Sequence, residues 1–304
     1  LFYDYCTCCL NITSMISYFK ASTASQGCSR IAPSVYRRCF SSSTSLVQTS
    51  IESDSRVGVM TLSRPPVNSL SLEMCHAITS ALKEVESDKG LRALILKSAN
   101  PAVLSAGLDI TELYQPDPKR LGEFWSSFQQ VFLDLYGSRL ATICAVEGHA
   151  PAGGCMLTLC CDYRIMTNSE KASIGLNETK LGITAPFWLA DLMIRTIGFR
   201  EADKAMALGQ LYNPSHALET GLVDEICDPN DVLMKAHEVA RLWTKVPPHA
   251  LAASKEITRK KYIDELSKNR HEDIEHFKEF ILNDAVQNNL ALYLENLKKK
   301  SSKK

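Results

Sequence analysis

Residues 141–161 read ATICAVEGHAPAGGCMLTLCC and carry the strongest fold signal in the chain. Ala141 to Val146 is apolar apart from Thr142 and has no Gly or Pro, the pattern of a short strand buried on both faces. Gly148 interrupts it, and from Ala152 to Cys161 a second apolar run is long enough for a helix that opens on Gly153 and Gly154. A buried strand, a tight Gly-rich turn and an apolar helix form half of a crossover unit, so a largely parallel sheet covered by helices is expected. The first-turn N–H groups of such a helix face whatever sits at the turn, which suits an anionic oxygen. Neither GxxxxGK[ST] nor GxGxxG is present, so nucleotide-binding readings lose their support. His149 reads as a structural loop residue.

Outward from this stretch the alternation continues. Arg56 to Ser63 alternates like a strand and stops at Pro65-Pro66, and Ser71 to Ser87 places Met74, Ile78, Ala81, Leu82 and Val85 at helical spacing. Leu91 to Leu96 is a further apolar strand, Lys119 to Tyr136 a helix, and Asp162 to Met166 a short strand. From Pro186 onward the signals are mostly helical: Pro186 to Ile197, Arg200 to Leu208, Pro214 to Thr220, Val232 to Thr244, Ala250 to Leu266 and Glu272 to Leu297. The chain therefore reads as an α/β core over residues 51–250 and a helical C-terminal region over 251–304.

With 304 residues, 45% of them hydrophobic, the chain can bury a substantial core. Its formal net charge of zero provides no global field for nucleic acid or an anionic membrane, so any anionic ligand needs a local patch. The apolar runs are too short to span a bilayer; Leu159 to Met166 is broken by Asp162 and Arg164. Neither a nucleic-acid partner nor membrane insertion is expected. Eleven cysteines are scattered without CxxC or zinc spacing and read as reduced thiols used as small hydrophobes, with no metal site.

Between Met15 and Ser50 there is no Asp or Glu, while Lys20, Arg30, Arg37, Arg38 and many Ser and Thr are present. That is transit-peptide composition, and Arg38-Cys39-Phe40-Ser41 resembles a matrix-protease site. Residues 15–40 are therefore expected to be a mitochondrial transit peptide, removed on entry to the matrix. Residues 1–14 are expected to be leader sequence or an incomplete gene reading, with Met15 as the true start. The sequon Asn177-Glu178-Thr179 would be silent in the matrix.

Two further motifs bear on chemistry. Ser105-Ala106-Gly107-Leu108-Asp109 follows the Leu91 to Leu96 strand, and its small residues allow a ligand to approach the backbone and an N–H to point at it. In Asn177-Glu178-Thr179-Lys180-Leu181-Gly182-Ile183 a carboxylate stands among apolar residues and glycines. Such surroundings raise its pKa and suit it to take and return a proton near neutral pH.

Two backbone-donor loops, LSAGLDI and PAGGC, followed by an apolar-flanked Glu in NETKLGI, resemble the crotonase (enoyl-CoA hydratase/isomerase) superfamily. Within it, PPVNSLS, SAGLD, PAGGC, CDYRI and IGLNET-LGI-APFWL resemble the enoyl-CoA isomerases of mitochondria, over roughly residues 53 to 298. The resemblance implies a crotonase-like fold of stacked ββα units, a homotrimer, and an acyl-CoA substrate in an extended groove. It casts the N–H groups of Ala106 and Gly153 as an oxyanion hole, Gly107, Leu108, Asp109 and Ile110 as the CoA-binding turn, and Asn177 as part of the acyl pocket. Glu178 takes the place of the catalytic glutamate. Lys255, Lys260 and Lys261 are candidates for the CoA phosphates. The implied reaction moves a double bond from position 3 to position 2 of an enoyl-CoA, with no cofactor apart from the CoA of the substrate. Hydratases of this kind carry a Glu just after the Cys of the GGGC-type turn, where this chain has Met156. The alternatives are an enoyl-CoA hydratase, a dienoyl-CoA isomerase, and a non-catalytic binding protein on the same fold.

Overall fold

In the computed structural model, which describes residues 36–39, 45–52 and 55–301, the run from Ala141 to Val146 is the inner strand that the sequence predicts. Chain order gives strands β1 (Tyr36–Cys39), β2 (Val47–Glu52), β3 (Val57–Leu62), β4 (Ala93–Ser98), β5 (Ala141–Val146), β6 (Ala150–Pro151), β7 (Tyr163–Thr167), β8 (Ile174–Gly175) and β9 (Glu225–Cys227). Seven of them form one sheet in the order β1-β2-β3-β4-β5-β7-β9. The pairings are antiparallel up to β3 and parallel from β3 onward. Strand β4 starts two residues later than its apolar run because Leu91 belongs to the preceding turn, where its carbonyl accepts from Arg139.

The period-2 alternation sends side chains to opposite faces. Met60, Leu62, Leu94, Leu96, Cys144, Val146 and Met166 join the larger core. There they meet helices α1 (Leu72–Ser87), α2 (Pro118–Tyr136) and α3 (Gly153–Leu159). Val57, Val59, Ala93, Ile95, Ile143, Ala145 and Ile165 turn the other way and pack on Val232, Ala236 and Ala240 of α7 (Val232–Trp243). Burial on both faces explains why these strands read as continuous apolar runs. Helix α1 begins where predicted because the Ser71 hydroxyl accepts from Met74 N–H.

A second, short ladder runs behind the main sheet. Leu70 bridges Leu108, Val103 bridges His149, β6 pairs with β8 in parallel, and Ile174 bridges Tyr212. Each long strand is thus followed by a short segment of the second layer and then by a helix, the stacked ββα arrangement expected above. Strands β6 and β8 are only two residues long, which is below what sequence periodicity can reveal.

The helical half contains α4 (Phe187–Ile197), α5 (Phe199–Leu208), α6 (Pro214–Glu219), α7, α8 (Pro248–Ile281) and α9 (Asp284–Ser301). The expected break between Leu266 and Glu272 is absent. This polar stretch contains no Gly or Pro, and Arg270 within it bonds to Gln129, Gln130 and Ser126 of α2, so the helix runs on. The chain breaks instead at Leu282-Asn283, where the Asn283 side chain accepts from Ala285 N–H. Helix α9 then lies over the second layer. Gln287 accepts from Gln115 N–H at 2.8 Å and donates to the carbonyls of Leu113 and Ile281 at 2.9 and 2.8 Å. Among the described residues no helix is long and apolar enough to cross a membrane. The proposed transit peptide and leader lie outside the described residues except for β1.

Candidate active site

The two Gly-rich loops run side by side. His149 N–H donates to Ala102 C=O at 2.9 Å, and Leu104 N–H to His149 C=O at 2.8 Å. Contact is so close that a Cβ on Gly154 would stand 2.4 Å from Ser105 O, and one on Gly148 would stand 2.2 Å from Ala102 C and O. A Cβ on Gly107, whose φ is +92°, would stand 2.8 Å from the Ala152 Cβ and 3.1 Å from the Gly153 nitrogen. Gly107 is therefore glycine for two reasons, conformation and space. Ala152 itself has φ 49° and ψ −118°, a strained turn that launches α3 and holds Gly153 against Gly107.

Backbone hydrogen bonding separates the free donors of this junction from the occupied ones. The N–H of Ala106, cast by the resemblance as an oxyanion donor, is taken by Val67 C=O at 2.9 Å. Gly107 N–H donates to Ser105 Oγ at 3.2 Å. Leu70 N–H donates to Gly107 C=O at 2.8 Å and Asp109 N–H to Leu70 C=O at 3.0 Å, so the two groups flanking Leu108 N–H are fixed by the second layer. Leu108 N–H itself has no acceptor among the described residues, and neither has Gly153 N–H at the first position of α3. The pair able to hold one oxygen is thus Leu108 and Gly153. Ala106 is exposed and can line a ligand, but its N–H is not available.

Glu178 opens a 3₁₀ turn, Glu178–Leu181, directly after β8, which pairs with the β6 segment that leads into Gly153. Its side chain is buried, and burial raises its pKa from 4.5 to about 7, against a smaller opposing effect from its own N–H. The turn closes on Gly182 at φ 73°, whose N–H caps Glu178 and Thr179 carbonyls. Ile183 N–H also donates to Glu178 C=O at 3.3 Å. Cys155, on the first turn of α3, is buried, and burial first and the nearby Glu178 second push its thiol pKa well above the usual value.

Other candidates fall into distinct roles. Asp109 is partly buried, yet hydrogen bonds from Thr111 and Arg64 outweigh that burial and hold its pKa below the usual value. With Arg64 2.7 Å away it is a structural anion that pins the turn, and it caps the next 3₁₀ turn, Ile110–Glu112, by accepting from Thr111 N–H. Asn177 adjoins Glu178, and its buried Oδ1 has no hydrogen-bond partner. His149 Nδ1 pairs with Ser173 Oγ at 3.0 Å, which ties two loops together. Met156 is fully buried in α3 with its sulfur against Cys160. Lys255 is withdrawn from the set of phosphate ligands: it is buried, donates to Leu140 C=O at 2.6 Å and to Asp162 at 2.7 Å, and shares that carboxylate with Arg259. Lys260 is exposed and pairs with Asp264, and Lys261 lies 5.5 Å from the Tyr262 ring centre.

Sequence reasoning missed one supporting residue. Asn68 in PPVNSLS is buried at φ 50°. Its Nδ2 donates to Ser98 Oγ and Leu104 C=O, its Oδ1 accepts from Arg64 N–H, and its carbonyl accepts from Ser105 Oγ. This one side chain locks the donor loop to β4. An Asn beside two prolines is an ordinary turn signal, and nothing local distinguishes it as a hub.

Comparison with known proteins agrees with this geometry. Residues 52–303 match the family described as Enoyl-CoA hydratase/isomerase. Enoyl-CoA delta isomerase 1 of mitochondria from Mus musculus is 45% identical over 263 residues, covering 86% of this chain and 90% of that protein. The Homo sapiens protein of the same name is 43% identical, covering 80% of each chain. The crystal structure of human mitochondrial delta3-delta2-enoyl-CoA isomerase superposes with a TM-score of 0.83 at 41% identity, covering 84% of this chain and 99% of that one. With its two layers, paired donor loops and buried glutamate, the chain belongs to the enoyl-CoA hydratase/isomerase family, the crotonase superfamily.

Proposed function

We propose that the protein is a mitochondrial Δ3,Δ2-enoyl-CoA isomerase that moves the 3-cis or 3-trans double bond of an enoyl-CoA to 2-trans in the β-oxidation of unsaturated fatty acids. The observation that carries this reading is a buried carboxylate, Glu178, with its pKa raised to about 7, carried directly after the strand that pairs with the segment leading into Gly153, whose N–H, like that of Leu108, has no acceptor among the described residues. The thioester oxygen accepts from Leu108 and Gly153 N–H, which stabilises the dienolate formed when Glu178 takes a proton from C2. The same carboxyl then returns a proton to C4, and C2=C3 replaces C3=C4. Each donor is expected to supply about 3 kcal/mol, and the base about 10² to 10⁴ in rate. No metal or redox group enters any step, and CoA takes part only as the carrier of the substrate.

Hydration would need a second carboxylate to hold water. Met156 occupies the position where hydratases of the family carry one, and Asp109 is held by Arg64 and Thr111. One shuttling carboxyl predicts internal return of the proton. Turnover of a 3-enoyl-CoA labelled with deuterium at C2, in ordinary water, should leave part of the label at C4 of the product. Complete washout of label at low conversion would count against a single-base shuttle.

The reading includes the matrix as the compartment and a homotrimer as the assembly. Exposed Phe199, Leu208, Met234 and Ile257 supply apolar surface for subunit contacts. Processing after Phe40 would remove β1 and leave β2 as the sheet edge. N-terminal sequencing of the mature protein should begin near Ser41, and a start at or before residue 20 would contradict this.

A further inference from the structure

Glu112 ends the 3₁₀ turn that follows the Leu108 donor, and it is only 4% exposed. Both of its carboxylate oxygens are engaged. Oε1 accepts from Leu72 N–H at 3.0 Å and from Arg120 Nη2 at 2.7 Å, and Oε2 accepts from Arg120 Nε at 2.9 Å. A bidentate guanidinium and a helix-opening N–H account for a carboxylate at this depth, and held in this way it is not placed as a second base. Leu72 is the first residue of α1, two positions beyond Leu70. Leu70 in turn holds both peptide groups that flank Leu108 N–H, and Glu112 N–H donates to Asp109 C=O at 3.0 Å. Leu70, Leu72, Glu112 and Asp109 thus form a closed ring of chain and hydrogen bonds around one donor. The Leu70 side chain reaches the other donor, with its Cδ1 2.7 Å from where a Cβ on Gly153 would lie.

In such a ring the direction of Leu108 N–H follows the position of Leu70. Upstream of Leu70 the chain is anchored by Asn68 to Ser98 and Leu104, and downstream it is anchored by the grip of Glu112 on Leu72 N–H. Resting on the isomerase reading for what the two donors do, we infer that Glu112 is a positioning residue for the oxyanion hole, and that its acceptor oxygen keeps the Leu70 segment in register with the loop presenting Leu108 N–H. Without that oxygen Leu72 N–H becomes a buried donor in need of a new acceptor, and the chain shifts to find one, carrying Leu70 with it. Hydrogen bonds weaken steeply with misalignment, so a displacement too small to unfold the protein still lowers kcat. Arg120 fixes the Glu112 carboxylate and also pairs with Glu73 Oε1 at 2.8 Å. Glu73 is exposed on α1 and shares the charge cluster without taking part in the ring.

Two substitutions separate positioning from stability. Glu112→Leu fills most of the space and removes the acceptor, whereas Glu112→Gln keeps an oxygen for Leu72 N–H and loses the ion pair with Arg120. Both should lower Tm. Only Glu112→Leu should lose at least about tenfold in kcat, a share of the about 10² to 10³ that a lost donor costs, with saturated acyl-CoA affinity within about threefold of the parent. Glu112→Gln should stay within about threefold of the parent kcat, and Glu73→Gln should leave kcat unchanged. The absorption of para-dimethylaminocinnamoyl-CoA moves to longer wavelength when its thioester oxygen accepts hydrogen bonds, so its red shift on binding reports the hole without turnover. That shift should be full in the parent and in Glu112→Gln and markedly smaller in Glu112→Leu. Should Glu112→Leu not fold, Leu72→Pro removes the N–H from the other side, at a first helical position preceded by the extended Ser71, where proline is tolerated, and the same losses are expected. The inference is overturned if folded Glu112→Leu or Leu72→Pro keeps the parent's kcat and red shift, or if Glu112→Gln or Glu73→Gln loses as much kcat as Glu112→Leu. A parent that binds the probe with no red shift would remove the two-donor hole of the isomerase reading itself, and the inference with it.

Discussion

Glu178→Gln should lose at least about 10²-fold in turnover while keeping its fold and its affinity for saturated acyl-CoA. The amide is nearly isosteric with the carboxyl but cannot accept a proton, and no second carboxyl of the site has its pKa raised to replace it. Stability should move in the opposite direction to activity. A carboxyl whose pKa rises on folding, here from 4.5 to about 7, holds its proton more firmly in the folded state, so folding is progressively disfavoured as pH climbs between those values. Above pH 7 the parent carries a buried charge whose cost is at most about 3 kcal/mol, and the Gln variant does not. The variant should therefore melt at a higher temperature than the parent at pH 8, with the difference vanishing toward pH 4.5. A variant that turns over at near the parent rate would remove Glu178 from the mechanism.

Gly107→Ala should be nearly as damaging, although it adds one methyl and removes no functional group. The new Cβ would lie 2.8 Å from the Ala152 Cβ and 3.1 Å from the Gly153 nitrogen, at a φ of +92° that side chains avoid. Either the strained turn at Ala152 or the donor at Gly153 must move, and losing one donor costs about 10² to 10³ in kcat. Gly153→Pro deletes that donor directly, and proline is tolerated at the first position of a helix, so the fold should survive. Its ring would press on the Leu70 Cδ1, which stands 2.7 Å from a Cβ there and can give way. Gly122→Ala, with nothing nearer than 3.6 Å, is the control and should leave kcat unchanged. Parent-like kcat in folded Gly107→Ala and Gly153→Pro would mean that this junction is not the oxyanion site.

Much of this was legible in the sequence because the informative segments are long and strongly patterned. Ala141–Val146 matches its apolar run at both ends, and α1 begins at the Ser71 cap. Glu178 stood out among its apolar and glycine neighbours only once the two donor loops were read with it, and its burial is what the structure adds. The choice of donor was not legible. Ala106 and Leu108 flank the same glycine, and only the pairing of Leu70 with the loop and the capture of Ala106 N–H by Val67 tell them apart. Those contacts join residues more than 35 positions apart. The buried role of Lys255 was equally hidden, since its partner Asp162 lies 93 residues away and one face of a polar helix resembles another. The continuity of α8 past residue 266 depends on α2 in the same way.

On the proposed mechanism one carboxylate and two backbone donors run isomerisation and not hydration. Its most direct test is to give the purified protein a 3-enoyl-CoA and a 2-trans-enoyl-CoA of equal length and follow the loss of each. Rapid conversion of the 3-enoyl form to 2-trans-enoyl-CoA, with hydration of the 2-enoyl form slower by orders of magnitude, is the predicted result. Hydration at a rate comparable to isomerisation would contradict it.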